Sequence, residues 1–205
     1  LKTMKGVFVI RGESGHIEAA LCVHVDDGLW GGTGERFEAA KRIVRQKLNV
    51  TKEKNGTFEF LGRRINQLEN KSIEVDQHTY IDKMEKIFVP ASRRKDPEAK
   101  ATEEELSKYR SLGQQLSWPA RTTLPGLAYD VSDLQQRTPD LTVGQLCKAN
   151  TVLNMAKDMV KRDVKMRFHR GDGSGRFGCL CVHDASYDRQ PRSGSQQGFL
   201  LLLTD

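Results

Sequence analysis

The sequence lacks any long apolar run. Its uninterrupted stretches of apolar residues, such as 199–203, are far shorter than the roughly 20 residues needed to cross a bilayer. The first residues also lack the basic-then-apolar leader of a secreted protein. We therefore predict an intracellular protein with no signal peptide, no transmembrane segment and no membrane partner.

Cysteine is scarce. The four cysteines are Cys22, Cys147, Cys179 and Cys181. The last two are two positions apart, which places both on one face of a strand. Because no second pair and no histidine cluster accompany them, the spacing argues against a zinc site and favours buried free thiols.

Positive charge is in modest excess. Lysine and arginine total 33 against 27 aspartates and glutamates, so the formal net charge is +6 at pH 7. Such a surplus suits a polyanionic partner, but many basic proteins never bind nucleic acid, so both possibilities stay open. The hydrophobic content of 37% and charged content of 29% exclude a disordered or fibrous chain.

The first third of the chain has the pattern of paired strands. A β-rich run at 7–10 precedes a turn, and apolar residues then alternate from 17 to 25. This alternation predicts a half-buried strand with Val23 and Val25 packed on one face, followed by a tight turn at 26–28.

The next elements are predicted in the same way. Apolar spacing predicts a helix over 37–48 with Thr33 as its N-terminal cap. Strand patterns occupy 58–65 and 72–75, and a short helix is predicted over 80–87.

Residues 91–101 are polar and carry a proline, so they predict a linker. Beyond it, Thr102 with Glu105 and Thr142 with Gln145 have the spacing of capping boxes. Apolar residues at steps of three and four predict the core face of the last helix; they are Leu146, Ala149, Leu153, Ala156 and Val160.

The order of elements predicts an α+β fold. A strand-rich segment over 1–90 is followed by the linker and by a helical segment over 102–170. Strand patterns resume at 179–182 and 198–203, which predicts the start of a third unit over 176–205.

The candidate chemistry lies at the bend His24-Val25-Asp26-Asp27. Strand alternation would place Cys22, His24 and Asp26 on one face. Two adjacent carboxylates concentrate negative charge where a hard cation can enter, and magnesium prefers oxygen ligands completed by waters and substrate phosphates. Asp-Asp-Gly is also a common turn sequence, so the dipeptide alone favours plain turn chemistry.

The surroundings of this bend resemble the reverse transcriptases of copia-type LTR retrotransposons. Residues 21–28, LCVHVDDG, look like that family's catalytic hairpin, in which an aromatic residue usually stands at the position of His24. The other similar segments, in family order, are 60–62 with 73–81 (the region that grips the primer), 109–118 and 123–131 (thumb and connection), and 183–186 with 192–198 (entry to the RNase H domain). The resemblance runs from about Gly6 to the end of the chain.

The resemblance implies a fragment of an RNA-directed DNA polymerase that uses two magnesium ions. Its partners would be an RNA or DNA template–primer and a dNTP, and its location a cytoplasmic particle or the nucleus. Residues 1–90 would be a partial palm, 102–170 the thumb and connection, and 176–205 a truncated RNase H start. Asp26 and Asp27 would be the catalytic metal ligands, and Asp184 the first metal carboxylate of the RNase H domain.

The resemblance also implies contacts with nucleic acid. His24 and Gly62 would lie against the template–primer, and Arg110 and Arg121 are candidates for phosphate contact. A solvated helix face is an equally good interpretation of the two arginines.

The sequence departs from the family at several positions that the polymerase and RNase H activities need. The family's polymerase site needs another aspartate from an earlier strand, and its RNase H site needs further acidic residues. Because neither set is present between Leu1 and Asp205, we expect this chain alone to lack polymerase and nuclease activity. Leu124 and Gly126 also stand where the family commonly has Arg and Asp.

Two other classes of function compete with an enzyme fragment. The chain could be a non-catalytic nucleic-acid-binding protein in which the basic helices act. It could also be a domesticated interaction module without affinity for nucleic acid.

Overall fold

The computed structural model describes residues 6–137, 141–170, 178–186 and 196–204. They form helices and antiparallel sheets, so the predicted α+β class is confirmed. The chain divides into two compact units that meet between Leu61 and Gly62. Within the described ranges, no helix is both long and apolar enough to span a membrane.

The first unit is built on a three-stranded antiparallel meander. Its strands are β1 (Val7–Arg11), β2 (Ile17–His24) and β3 (Asp27–Gly32), with β2 in the centre. Helix α1 (Glu35–Leu48) and strand β4 (Thr57–Phe60) follow.

One face of this meander carries α1. The ring of Trp30 on β3 meets that of Phe37 on α1 edge-to-face, with 6.0 Å between ring centroids. Because Trp30 lies opposite Leu21 in the sheet, both side chains belong to the face on which α1 packs. Ala19 and Phe37 are the only buried apolar residues among those described in this unit.

Two predictions for the first unit are wrong. Val23 and Val25 are 39% and 87% exposed, so neither is packed, because the small unit has too little core to cover that end of the sheet. The cap of α1 is Gly34 rather than Thr33, at φ +89°, with no side-chain hydrogen bond.

The predicted strand over 58–65 is two strands. Leu61 and Gly62, at φ +49° and +67°, leave the extended region between β4 and β5 (Arg63–Gln67). The predicted return strand after Gln67 is confirmed as β6 (Ile73–Asp76), antiparallel to β5.

Buried charges hold the sheet of the second unit. β6 pairs on its other side with β7 (Met166–Phe168). The Glu74 carboxylate on β6 accepts from Arg167 on β7 and lies 3.2 Å from Lys165 Nζ. The hydrogen bonds from Arg167 and Lys165 hold the pKa of Glu74 below its ordinary value.

The helical part of the second unit contains its main core. The helices are α2 (His78–Asp82), α3 (Ala91–Arg94), α4 (Glu103–Ala120), α5 (Ala128–Gln136) and α6 (Val143–Lys161), with a 3-10 turn at Pro125–Leu127. The predicted stripe on α6 is confirmed: Leu146, Ala149, Leu153 and Ala156 are 0% exposed, and Val160 packs beside them.

The predicted linker is part of the second unit. Ala99 and Ala101 pack against the helical core, and the Ala101 N–H donates to the Leu141 carbonyl at 3.0 Å. Side chains attach the segment as well, since the Arg93 guanidinium donates to the Glu105 carboxylate at 2.8 Å and Arg94 Nε donates to the Val89 carbonyl at 3.0 Å. The core also includes Ile81 and Val89, which lie before the predicted boundary at 90.

Other local predictions meet mixed results. The capping box of Thr102 and Glu105 is confirmed, whereas Thr142 caps α6 without a side-chain bond. The helix predicted over 80–87 is the shorter α2, because the chain beyond it is held by Asn150 instead. The Asn150 side chain accepts from the Ile87 N–H and donates to the Ile87 carbonyl, both at 2.8 Å.

The last described strands, β8 (Gly178–Ser186) and β9 (Gln196–Thr204), form an antiparallel pair. They confirm and extend the strand patterns at 179–182 and 198–203. Cys179 and Cys181 are exposed, which contradicts the buried thiols predicted for this pair.

Replacing the buried Asp133 tests how much its ion pairs stabilise the helical core. Asp133, 2% exposed, accepts from Arg137 at 2.9 Å and Lys148 at 2.6 Å. Burial raises the pKa of Asp133, but these hydrogen bonds outweigh it and leave the pKa below its ordinary value of 3.8. We expect Asp133→Asn to lower the free energy of unfolding by about 2 kcal/mol or more at pH 7, since it breaks a buried pair.

The pH dependence has a definite sign. A carboxylate with a lowered pKa stabilises the fold above its unfolded pKa, and the contribution is lost as pH falls through the folded pKa. Urea denaturation should therefore show a smaller difference between Asp133→Asn and the parent at pH 3 than at pH 7. Asp158→Asn, in an exposed pair with Lys161, is the control and should cost less than about 0.5 kcal/mol. Equal losses for the two variants would contradict this account.

Candidate functional site: the hairpin between β2 and β3

The bend predicted to carry the chemistry is a two-residue hairpin turn. His24 pairs with Asp27, so Val25 and Asp26 alone form the turn. The predicted turn at 26–28 is wrong in its position, because Asp27 and Gly28 already belong to β3. The shift leaves one carboxylate at the tip and fixes the other at the first position of a strand.

Val25 holds this turn in a strained conformation. Its φ is +55°, a left-handed value that β-branched residues rarely adopt, and its side chain is 87% exposed. Such a conformation costs on the order of 1–3 kcal/mol, and strain of this kind clusters at functional sites. The strained residue therefore directly precedes Asp26 in the chain.

Asp26 and Asp27 are both exposed. Among the residues that the structure describes, neither carboxylate has a hydrogen bond or an ion pair. Two adjacent, unneutralised carboxylates are suitable ligands for a hard divalent cation. The donor set therefore fits magnesium better than a transition metal that prefers nitrogen or sulfur.

The faces of the hairpin differ from the prediction. His24 and Asp27 are cross-strand partners and share one face with the pair Cys22 and Leu29. This face is opposite to the one on which α1 packs. Asp26 belongs to the turn rather than to the face of Cys22 and His24, so its predicted grouping with them is wrong.

The described residues supply only part of a metal site. No group of three or more His, Cys, Asp or Glu side chains is placed to hold a metal ion within those ranges. Magnesium commonly takes one or two carboxylates and completes its shell with waters and substrate phosphates. The hairpin matches that smaller requirement.

The third predicted metal ligand, Asp184, lies in β8 opposite Gly198. Its side chain is outside the described residues. Its role as a metal ligand stays a prediction.

The predicted phosphate contacts are accessible. Arg110 is exposed on α4, and Arg121 is exposed as the C-terminal cap of that helix rather than inside it. Their separation of three helical turns puts them about 16 Å apart on one side of α4. Neither guanidinium has a partner among the described residues.

The structure shows a contact near Gly62, between Arg63 and Trp118, that was not predicted from the sequence. The Arg63 guanidinium lies 4.7 Å from the centroid of the Trp118 ring. Gly62 is exposed at φ +67°, and a Cβ built on it would lie 4.0 Å from Trp118 Nε1. Residues 63 and 118 are far apart in the sequence, and no periodicity or motif connects them.

Comparison of the chain with protein-family models, with curated proteins and with solved structures gave no match. The copia-type resemblance therefore rests on the motifs of this sequence. Magnesium, the template–primer and the dNTP remain predictions with it.

Replacing Val25 tests the strain in the turn. Glycine adopts positive φ without a steric penalty, so Val25→Gly should raise the stability of the first unit by about 0.5–1 kcal/mol. The matched variant Val23→Gly, in the extended strand β2, should lower stability instead. Hydrogen exchange of the β2 amides measures both effects, and losses of equal size in the two variants would show that the turn is not strained.

Proposed function

We propose that this chain is part of an RNA-directed DNA polymerase of a copia-type retrotransposon, with the hairpin between β2 and β3 as its metal-binding element. The observation that carries the proposal is the pair of adjacent carboxylates, Asp26 and Asp27, exposed and unpartnered at a strained two-residue turn. In this proposal residues 1–90 are the partial palm, and the helical segment over 102–170 is the thumb and connection. β8 and β9 are the start of the RNase H domain, with Asp184 as its metal ligand.

The two carboxylates lie at different places in the hairpin. Asp26 belongs to the turn, whereas Asp27 begins β3 opposite His24, and both would hold the cations. Two bound magnesium ions would activate the primer 3′-hydroxyl and stabilise the departing pyrophosphate. His24, on the same face as Asp27, would lie against the primer end.

The negative charge of the hairpin affects how nucleic acid approaches it. Two carboxylates side by side repel the phosphates of a nucleic acid, and no cationic group neutralises them among the described residues. Cations bound at the turn would remove this repulsion and favour the approach of a primer end. Arg110 and Arg121 on α4 supply attraction elsewhere, to the sugar–phosphate backbone.

Manganese binding tests the metal site directly. In NMR spectra of the full chain, low concentrations of Mn²⁺ should first broaden the amide signals of residues 24–28. Asp26→Asn and Asp27→Asn should each weaken this binding about tenfold or more, since each removes a charged ligand. Glu13→Gln removes an exposed carboxylate from the other hairpin turn of the same sheet and should leave the affinity unchanged.

Broadening elsewhere in the chain, or equal affinities in all three variants, would contradict the proposal. A non-catalytic nucleic-acid-binding protein is the second candidate, favoured by the net charge of +6 and the exposed arginines of α4. Template–primer binding that is unaffected by magnesium and by Asp26→Asn would support this second candidate instead.

A further inference from the structure

We propose that Arg63 and Trp118, flanked by Arg121, form a binding site for single-stranded nucleic acid. A base stacks on the indole and guanidinium pair, and the neighbouring phosphates accept from Arg63 and Arg121. The site needs no divalent cation and is independent of the metal chemistry proposed for Asp26 and Asp27.

The pair is a partly exposed cation–π contact. The Arg63 guanidinium lies 4.7 Å from the Trp118 ring centroid, and Trp118 is 36% exposed. Indole rings and guanidinium planes are the two protein surfaces on which unstacked bases commonly lie. Arg63 opens strand β5 and Trp118 lies in the last turn of α4, so regular elements position both.

The pair also presents donors without acceptors. Arg63 Nε is buried and has no hydrogen-bond partner among the described residues, and none is found there for the Trp118 N–H. The neighbouring Arg64 differs, since its Nε donates to the Asp76 carboxylate at 2.8 Å. Arg63 is therefore a cation that the fold has not neutralised, and a phosphate oxygen is a fitting acceptor.

The end of α4 is fixed in place beneath this surface. The Thr122 hydroxyl contacts the Trp118 carbonyl at 2.7 Å and Gln77 Oε1 at 2.5 Å. Gln77 is 2% exposed and also accepts from Thr123 at 2.9 Å. Arg121, three positions after Trp118, is exposed beside it, which adds a second positive charge to the same end of the helix.

A single strand fits this surface better than a duplex. Base faces are hidden inside a duplex, so an exposed aromatic and arginine pair gains from stacking only when bases are free. Phosphate attraction alone would need no tryptophan. The combination of both features identifies the ligand class as single-stranded DNA or RNA.

Fluorine NMR on the full chain tests the site without any mutation in the observed protein. The sequence has two tryptophans, so labelling with 5-fluorotryptophan gives two signals, assigned with Trp118→Phe. A twelve-nucleotide oligo(dT) in EDTA should shift the Trp118 signal and leave that of Trp30, which packs on Phe37, in place. Heparin, which offers charge without bases, should shift the Trp118 signal less than oligo(dT) does.

Affinities from fluorescence anisotropy complete the test. Arg63→Gln and Trp118→Phe should weaken oligo(dT) binding about fivefold or more. Lys108→Gln, at an exposed cation ten residues before Trp118 on the same helix, should change it less than twofold. The titrations are run in EDTA, so failure here is separable from failure of the metal site. Binding that shifts neither tryptophan, or equal losses for Arg63→Gln and Lys108→Gln in variants with unchanged thermal melts, would overturn the proposal.

Discussion

The buried stripe of α6 is the interaction on which the second unit depends. Four of its side chains are completely inaccessible, and helices α2 to α5 each contact this helix directly or through the same core. Two polar side chains of α6 add hydrogen bonds to this packing. Asn150 accepts from the Ile87 N–H, and Lys148 donates to the carboxylate of the buried Asp133. Because this core stabilises the second unit, the unit does not depend on an ion pair at Arg63, which contacts Trp118 at the surface.

The first unit, in contrast, has a small apolar core and a strained turn. Its described residues bury only Ala19 and Phe37 among apolar side chains, and yet it holds Val25 at a positive φ. Strand pairing between His24 and Asp27 is the constraint that maintains this turn. The two carboxylates at the end of this sheet are exposed, which suits the cation site proposed for them.

The sequence predicted elements best where one periodicity dominates. The α6 stripe and the strands of the first meander follow from spacing, and the Thr102 capping box from a local motif. The attachment of residues 91–101 to the helical core could not be predicted, because composition does not reveal the backbone and side-chain hydrogen bonds that make it. Asp26 and Asp27 were found as candidates, but the exact turn depends on the closing pair His24–Asp27, and the Arg63–Trp118 contact depends on tertiary packing. Neither is encoded in local spacing.

Cleavage by bound iron tests the central claim most directly. With added hydrogen peroxide and ascorbate, Fe²⁺ in place of magnesium is oxidised to Fe³⁺ as the peroxide is split into hydroxide and a hydroxyl radical, which cuts nucleic acid only near the ion, and ascorbate restores the Fe²⁺. With an end-labelled primer–template bound to the chain, cuts should concentrate within a few nucleotides of the primer 3′ end and disappear in a variant carrying Asp26→Asn and Asp27→Asn. Uniform cutting along the duplex, or an unchanged pattern in that variant, would show that these carboxylates do not hold a cation at the primer end.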